Sequence, residues 1–166
     1  MKIAIISDTH DNIPNVEKFL TWSSTNNIGM IIHCGDIASP DIIEEIIRPS
    51  FAGPIHLVHG NVSNRDLLEE VCDSLKQTTL HGDEGYIEVD HLKLAFCHYP
   101  EKALELAQTN IYNFVFHGHT HKPWIENVGN VIIANPGTLG GIFSKATFSV
   151  LDTQNNNLEL KILEKI

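Results

Sequence analysis

Short runs of branched and aromatic residues, each closed by Gly, Asp, Asn or His, recur along the chain: Ile3-Ala4-Ile5-Ile6, Met30-Ile31-Ile32, His56-Leu57-Val58, Leu94-Ala95-Phe96 and Phe114-Val115-Phe116. Their length and flanking residues predict buried strands. Between them the apolar positions change to helical spacing. A helix beginning near Pro14 carries Val16, Phe19, Leu20 and Ser23 on one face and is closed by Asn26-Asn27 and Gly29. A second has Ser39 as its expected N-cap, Pro40 at its first position, Ile42, Ile43, Ile46 and Ile47 on its apolar side, and Pro49 as terminator. A third runs from about Arg65 to Leu75 with Leu67, Leu68, Val71, Cys72 and Leu75 on one side, and a fourth from about Pro100 to Thr109. Alternating strands and helices predict a parallel sheet with crossovers. The second half differs: Tyr86–Val89 and Leu92–Phe96 flank Asp90-His91, the pattern of a tight hairpin. Further strands are expected at Val131–Ala134, Ala146–Leu151 and Leu158–Ile162, with Asn155-Asn156-Asn157 as the last turn. Antiparallel pairs therefore join the parallel set, in an α/β protein.

At 166 residues and 42% hydrophobic content, residues 1–166 read as a single domain with a core that needs no disulfide. Cys34, Cys72 and Cys97 are odd in number and lack Cys-x-x-Cys spacing, which fits a reducing compartment. Strand alternation sends Cys97 and His98 to opposite faces, so Cys97 is not counted as a metal ligand. The N-terminal apolar run is too short for a signal core, no stretch reaches membrane-spanning length, and a cytoplasmic protein is expected. A formal charge of −10 argues against a broad nucleic-acid-binding surface. A homo-oligomer is compatible with this composition.

The candidate chemistry lies where the apolar runs end: Asp8 and His10, Asp36, Asn61, His98, then His119 and His121. Taken singly the pieces are weak. Asp8-Thr9-His10 could cap a helix, while Gly35-Asp36 and Gly60-Asn61 are ordinary turn chemistry. Gly118-His119-Thr120-His121 is stronger, because two imidazoles two positions apart can enter one cleft beside a flexible glycine. Together they sit beyond the carboxyl ends of strands, where open α/β sheets place their functional crevice. Imidazole, carboxylate and amide oxygen suit borderline divalent ions better than an all-oxygen Ca²⁺ or Mg²⁺ cage. The arrangement describes a phosphoesterase with two metals.

Those motifs resemble the signature of the calcineurin-like metallophosphoesterase superfamily over nearly the whole chain. Its length and Asn135-Pro136-Gly137-Thr138 make it similar to the small single-domain phosphodiesterase branch. The resemblance implies two packed mixed β-sheets flanked by helices, a four-layer α/β/β/α sandwich. It assigns Asp8, His10, Asp36 and His121 to one ion, and Asp36, Asn61, His98 and His119 to the other, with Asp36 bridging. Two divalent ions per chain follow, Mn²⁺ first and Ni²⁺, Fe²⁺ or Zn²⁺ as alternatives, sharing a hydroxide that attacks phosphorus. Asp36, Asn61 and His119 are the residues assigned to catalysis. The implied activity is hydrolysis of phosphodiesters, with a small phosphoester or nucleotide-type substrate. Phosphomonoester or nucleotide pyrophosphate hydrolysis at the same site is the near alternative. A non-catalytic scaffold is the distant one, because this fold also serves in a retromer subunit with degraded ligands whereas all seven positions here carry donors.

Three departures from the family pattern stand out. Val62 follows Asn61 where many members carry a proton-donating His. Tyr99-Pro100 follows His98 in place of Gly-His, and Gly140-Gly141-Ile142-Phe143 replaces a segment that commonly holds Arg. Arg65 is a candidate phosphate clamp. His33, His59 and His117 read chiefly as interior strand histidines, and His56, His81 and His91 as surface or turn residues.

Overall fold

The computed structural model describes all residues from Met1 to Ile166. In chain order the elements are β1 (Lys2–Ile6), α1 (Ile13–Thr25), β2 (Ile28–His33), a π-helical segment (Ile42–Ile47) running into the single turn α2 (Arg48–Ser50), β3 (Ile55–Leu57), α3 (Arg65–Ser74), β4 (Thr78–Leu80), β5 (Glu84–Val89), β6 (Leu92–Cys97), α4 (Pro100–Gln108), β7 (Phe114–Phe116), β8 (Trp124–Val128), β9 (Val131–Asn135), β10 (Thr147–Asp152), β11 (Asn157–Ile162) and a final 3₁₀ turn (Leu163–Lys165). They form a six-stranded sheet, ordered β11-β10-β1-β2-β3-β4, and a five-stranded sheet, ordered β5-β6-β7-β9-β8. Both are mixed: β1, β2, β3 and β4 run parallel, as do β6, β7 and β9, while β10, β11, β5 and β8 pair antiparallel.

Side-chain alternation sorts the core into three layers. On β1, Ala4 and Ile6 pack with Val16, Phe19, Ile43, Ile47 and Leu68 from the helices outside the larger sheet. Ile3 and Ile5 point the other way, into a layer shared with Leu94, Phe96, Phe114 and Phe116 of the smaller sheet. Ala95, Cys97, Val115 and Ile133 then face Ala103, Leu106 and Ala107 of α4. Strands covered on both faces must be apolar at successive positions, which is why they appear as unbroken runs. The expected four-layer arrangement is therefore the one observed, and Cys97 lies under α4 on the face opposite His98.

Several expectations change. Ser39 makes no capping bond through its side chain; the π-helical segment starts after Asp41, and Ser39 is held by its backbone N–H to Asp11 Oδ1 at 2.9 Å. Pro49 does not terminate the second helix but sits within α2. A proline ring collides with the carbonyl four residues earlier in an α-helix, whereas the preceding turn is widened, with the Arg48 N–H bonded to Ile43 O. Leu67 is exposed although α3 buries Leu68, Val71 and Cys72. Strands β4 and β8 were not expected. Both are edge strands, and β8 is largely exposed, so neither carries a buried-run signal. No helix is long and apolar enough to cross a membrane.

Candidate metal centre

The loops after β1, β2, β6 and β7 are tied together by their backbones. Asp8 N–H donates to Gly35 O at 3.0 Å and His10 N–H to Asp36 O at 3.3 Å. Gly118 N–H donates to His98 O at 3.1 Å, and His119 N–H crosses to the other sheet to reach Asp8 Oδ2 at 3.2 Å. The carbonyl of Asp8 is pinned in turn by Thr138 Oγ1 at 2.8 Å and Gly140 N–H at 3.0 Å. Five of the seven candidate ligands, Asp8, His10, Asp36, His119 and His121, have positive φ, between 43° and 69°. For residues other than glycine this costs roughly 1–2 kcal/mol each, and it persists only where the surroundings enforce it. The benefit is direction: each side chain turns off its strand end into one cleft.

That cleft has two halves. Asp8, His10, Asp36 and His121 bring one potential ligand atom each to within 4.8 Å of one another. In the other half, His98 Nε2 lies 3.0 Å from Asn61 Oδ1 and 3.4 Å from Asp36 Oδ1, and His119 Nδ1 lies 3.1 Å from the same Asn61 oxygen. Asp8, Asp36 and His98 form a buried floor, while Asn61 and His119 stand at the exposed mouth. The structure thus brings all seven candidates together. Arg65 makes no hydrogen bond with these seven; it is exposed and paired with Asp83 at 2.8 Å.

Orientation is set by a second tier of contacts. His98 Nδ1–H donates to Cys34 O at 2.8 Å and His121 Nδ1–H to Ile142 O at 3.2 Å, so both rings present Nε2 to the cleft. Asp36 Oδ1 accepts the backbone N–H groups of Asn61 at 2.7 Å and Val62 at 3.2 Å. A methyl group at Gly60 would collide with the Asp36 carboxylate and backbone, and one at Gly118 with Ser7 Oγ. Both glycines are therefore spacing requirements. His33 is buried, with Nε2 3.3 Å from Thr9 Oγ1 and Nδ1 accepting Gly35 N–H at 3.2 Å, so it is an interior histidine that also braces two ligand loops. Asn135 supports the His119 loop by donating to Gly118 O at 2.8 Å and Thr120 Oγ1 at 3.0 Å. Neither brace had a pairwise signal in the sequence, since the partners are distant in the chain.

His56 and His81 are not surface groups. Half-buried, they meet through Nδ1 and Nε2 at 2.9 Å, and His81 packs edge-on against Phe96. His91 is exposed at its turn, as expected.

The electrostatics show what the cleft lacks. Burial raises the Asp8 carboxyl above its ordinary range, an effect that Ser7, His98 and His121 only partly offset. Its Oδ1 is buried without a hydrogen bond; His121 Nε2 is 3.2 Å away but poorly aligned. For Asp36, burial pushes the pKa up, but the His98 hydrogen bond and charge and the two backbone donors outweigh it and hold the value at about 2. Burial opposes a charged His98, yet Asp36 reverses the balance and raises its pKa. An orphaned buried carboxylate oxygen among imidazoles and a second carboxylate fits a divalent cation, and the N/O donor set suits borderline metals.

A profile of the calcineurin-like phosphoesterase superfamily domain matches residues 1–156, and the chain belongs to that superfamily. It is 33% identical over 167 residues to a phosphodiesterase of Methanocaldococcus jannaschii, covering 99% of this chain and all of the relative. The solved structure of an archaeal phosphodiesterase superposes with a TM-score of 0.87 at 32% identity, covering 98% of this chain and 99% of that one. Zinc-complexed Vps29 from Entamoeba histolytica shares the fold at a TM-score of 0.70 and 21% identity, with 98% and 99% coverage. The protein is a hydrolase acting on phosphoesters, and the family implies divalent metal ions.

Proposed function

We propose that the cleft holds two divalent ions, one on Asp8, His10, Asp36 and His121 and the other on Asp36, Asn61, His98 and His119, and that it hydrolyses phosphodiesters. The observation that carries this reading is the division of one carboxylate: Asp36 Oδ2 faces His10 at 3.7 Å while its Oδ1 faces His98 at 3.4 Å. One residue thus serves both halves. Mn²⁺ is the first expectation, and Ni²⁺, Fe²⁺ or Zn²⁺ suit the same donors. When bound, such a pair supplies Lewis acidity toward the phosphoryl oxygens and a nucleophile drawn from water near neutral pH.

The chain's own part is positioning. Backbone donors from Asn61 and Val62 fix Asp36, and the carbonyls of Cys34 and Ile142 fix the rings of His98 and His121. Asn61 and His119, at the open mouth, meet the substrate first. Arg65 binds the phosphoryl group after exchanging its exposed partner Asp83 for substrate. Val62 has no proton to give, so good leaving groups are favoured. The full-length likeness to a phosphodiesterase favours diesters over monoesters or nucleotide pyrophosphates, and seven intact donors favour catalysis over a scaffold role. Bis(p-nitrophenyl) phosphate and p-nitrophenyl phosphate, assayed with each ion, test the reading. Metal-dependent turnover of the diester in preference to the monoester is expected. Turnover that survives chelation, or that ignores Asp36→Asn, would overturn it.

A further inference from the structure

Two of the three departures from the family pattern introduce aromatic residues, and the fold sets one against each half of the cleft. Tyr99 is exposed and packs edge-on against His98 and His119, with ring centroids 5.0 and 4.9 Å apart. Phe143 lies beside His121, with centroids 5.9 Å apart and planes inclined at 31°. Phe143 is also 97% exposed. A phenyl ring so placed contributes almost nothing to the core, yet its backbone is held at φ 61°, a conformation that bulky residues rarely adopt.

The hold on that loop is visible. Ile142 O accepts from His121 Nδ1 at 3.2 Å, and Ser144 Oγ donates to His121 O at 2.8 Å. Both chain neighbours of Phe143 are thus fastened to a candidate ligand, and the ring between them projects into solvent at the rim. A loop that only closed the chain would need neither the strain nor the apolar ring. An exposed ring with free faces, carried on a backbone held at both neighbouring residues, suits a planar ligand group, since every nucleobase has a π-face and stacking needs no particular hydrogen-bond pattern.

We propose that Phe143 is the stacking platform for a nucleobase, with Tyr99 walling the opposite half of the cleft, so that the substrates are nucleotide-type phosphoesters. The proposal rests on the phosphoesterase reading of the site, and what it adds is the residue that would hold the nucleotide arm expected from the resemblance. The phosphoryl group sits in the polar floor while the attached nucleoside reaches the Phe143 ring.

Calorimetric titration of the Mn²⁺-loaded protein with adenosine 5′-monophosphate and, separately, with inorganic phosphate tests it. The nucleotide should bind more tightly than phosphate, and Phe143→Ala should reduce that preference about tenfold, within the range for base-stacking aromatics. Phe143→Trp should preserve it. The ring packs against nothing buried, so these variants should fold, which circular dichroism checks. Equal affinity for the two ligands in the parent protein, or a Phe143→Ala variant that weakens both alike, would overturn the proposal. Binding is read without turnover, so a protein that prefers the nucleotide through Phe143 but cleaves no phosphodiester would refute only the proposed function.

Discussion

The backbone N–H of Asn61 donates to Asp36 Oδ1 at 2.7 Å, so the residue proposed as an amide ligand also aims the carboxylate that faces both halves of the cleft. That approach is possible because Gly60 has no side chain: any Cβ there would meet the Asp36 carboxylate. Sequence spacing, backbone path and ligand direction are one constraint at this point.

Gly60→Ala should therefore injure the site more than the fold. Overpacking of this kind costs about 1–3 kcal/mol, read as a lower urea midpoint. Mn²⁺ affinity should fall further than that loss explains, because Asp36 is pushed off both neighbours. Calorimetric metal titration of the folded variant checks it; unchanged affinity would mean that the loop yields elsewhere.

Val62 is 43% exposed beside Asn61 and has no ionisable group. The rate should depend steeply on leaving-group acidity, with aryl diesters turned over readily and alkyl esters poorly. The Ser63 hydroxyl is already committed to Ile37 O at 2.8 Å and is poorly placed to supply the missing proton. Val62→His should help poor leaving groups selectively, by about tenfold, less than the full value of general-acid catalysis because the new imidazole lacks support. The check is kcat/KM against leaving-group pKa for both proteins at matched metal content. A flat profile in a series limited by chemistry would point to another donor.

Cys97 is buried under α4, with burial raising its pKa to about 12, so it has no nucleophilic part to play. Cys97→Ala should cost about 1 kcal/mol through lost packing and leave kcat within twofold. Loss of turnover in a folded, metal-loaded variant would contradict a water-derived nucleophile.

The His56–His81 pair should make stability depend on pH. Burial, aided by the nearby charge of His81, lowers His56 to about 4, and burial lowers His81 as well. Rings meeting at 2.9 Å cannot both hold a proton there. As pH falls through the ordinary histidine value of about 6.5, the unfolded chain takes up protons that the folded chain refuses. Stability is thus full above about pH 7 and declines toward pH 4, and solvent screening limits the pair's share to about 1 kcal/mol. Urea unfolding of metal-free protein at pH 7.5 and pH 5 should show a smaller decline in the His56→Gln, His81→Gln double variant. An identical decline would remove the pair from the account.

The layered fold was legible because β1, β2, β6 and β7 are covered on both faces and must be apolar throughout, while hairpin residues Asp90 and His91 mark their own turn. Edge strands β4 and β8 were not, since exposure removes the hydrophobic signal. Pro49 misled because a widened turn accepts a proline that an α-helix rejects. At the site the candidate ligands, which the fold gathers into one cleft, were legible as residue types at strand ends. The carbonyls of Cys34 and Ile142 and the bracing by His33 and Asn135 were not, because a backbone group has no identity in sequence and the side-chain pairings are settled only by tertiary contact. The surroundings of His56 and His81 were hidden for the same reason.

Metal stoichiometry tests the central claim most directly. Elemental analysis of protein saturated with Mn²⁺ and freed of excess should give two ions per chain. Asp36→Asn should weaken both sites together, whereas His98→Ala should empty chiefly one. A chain that is fully active with no more than one ion, or an Asp36→Asn variant that loses only one of two, would contradict the shared carboxylate on which the account rests.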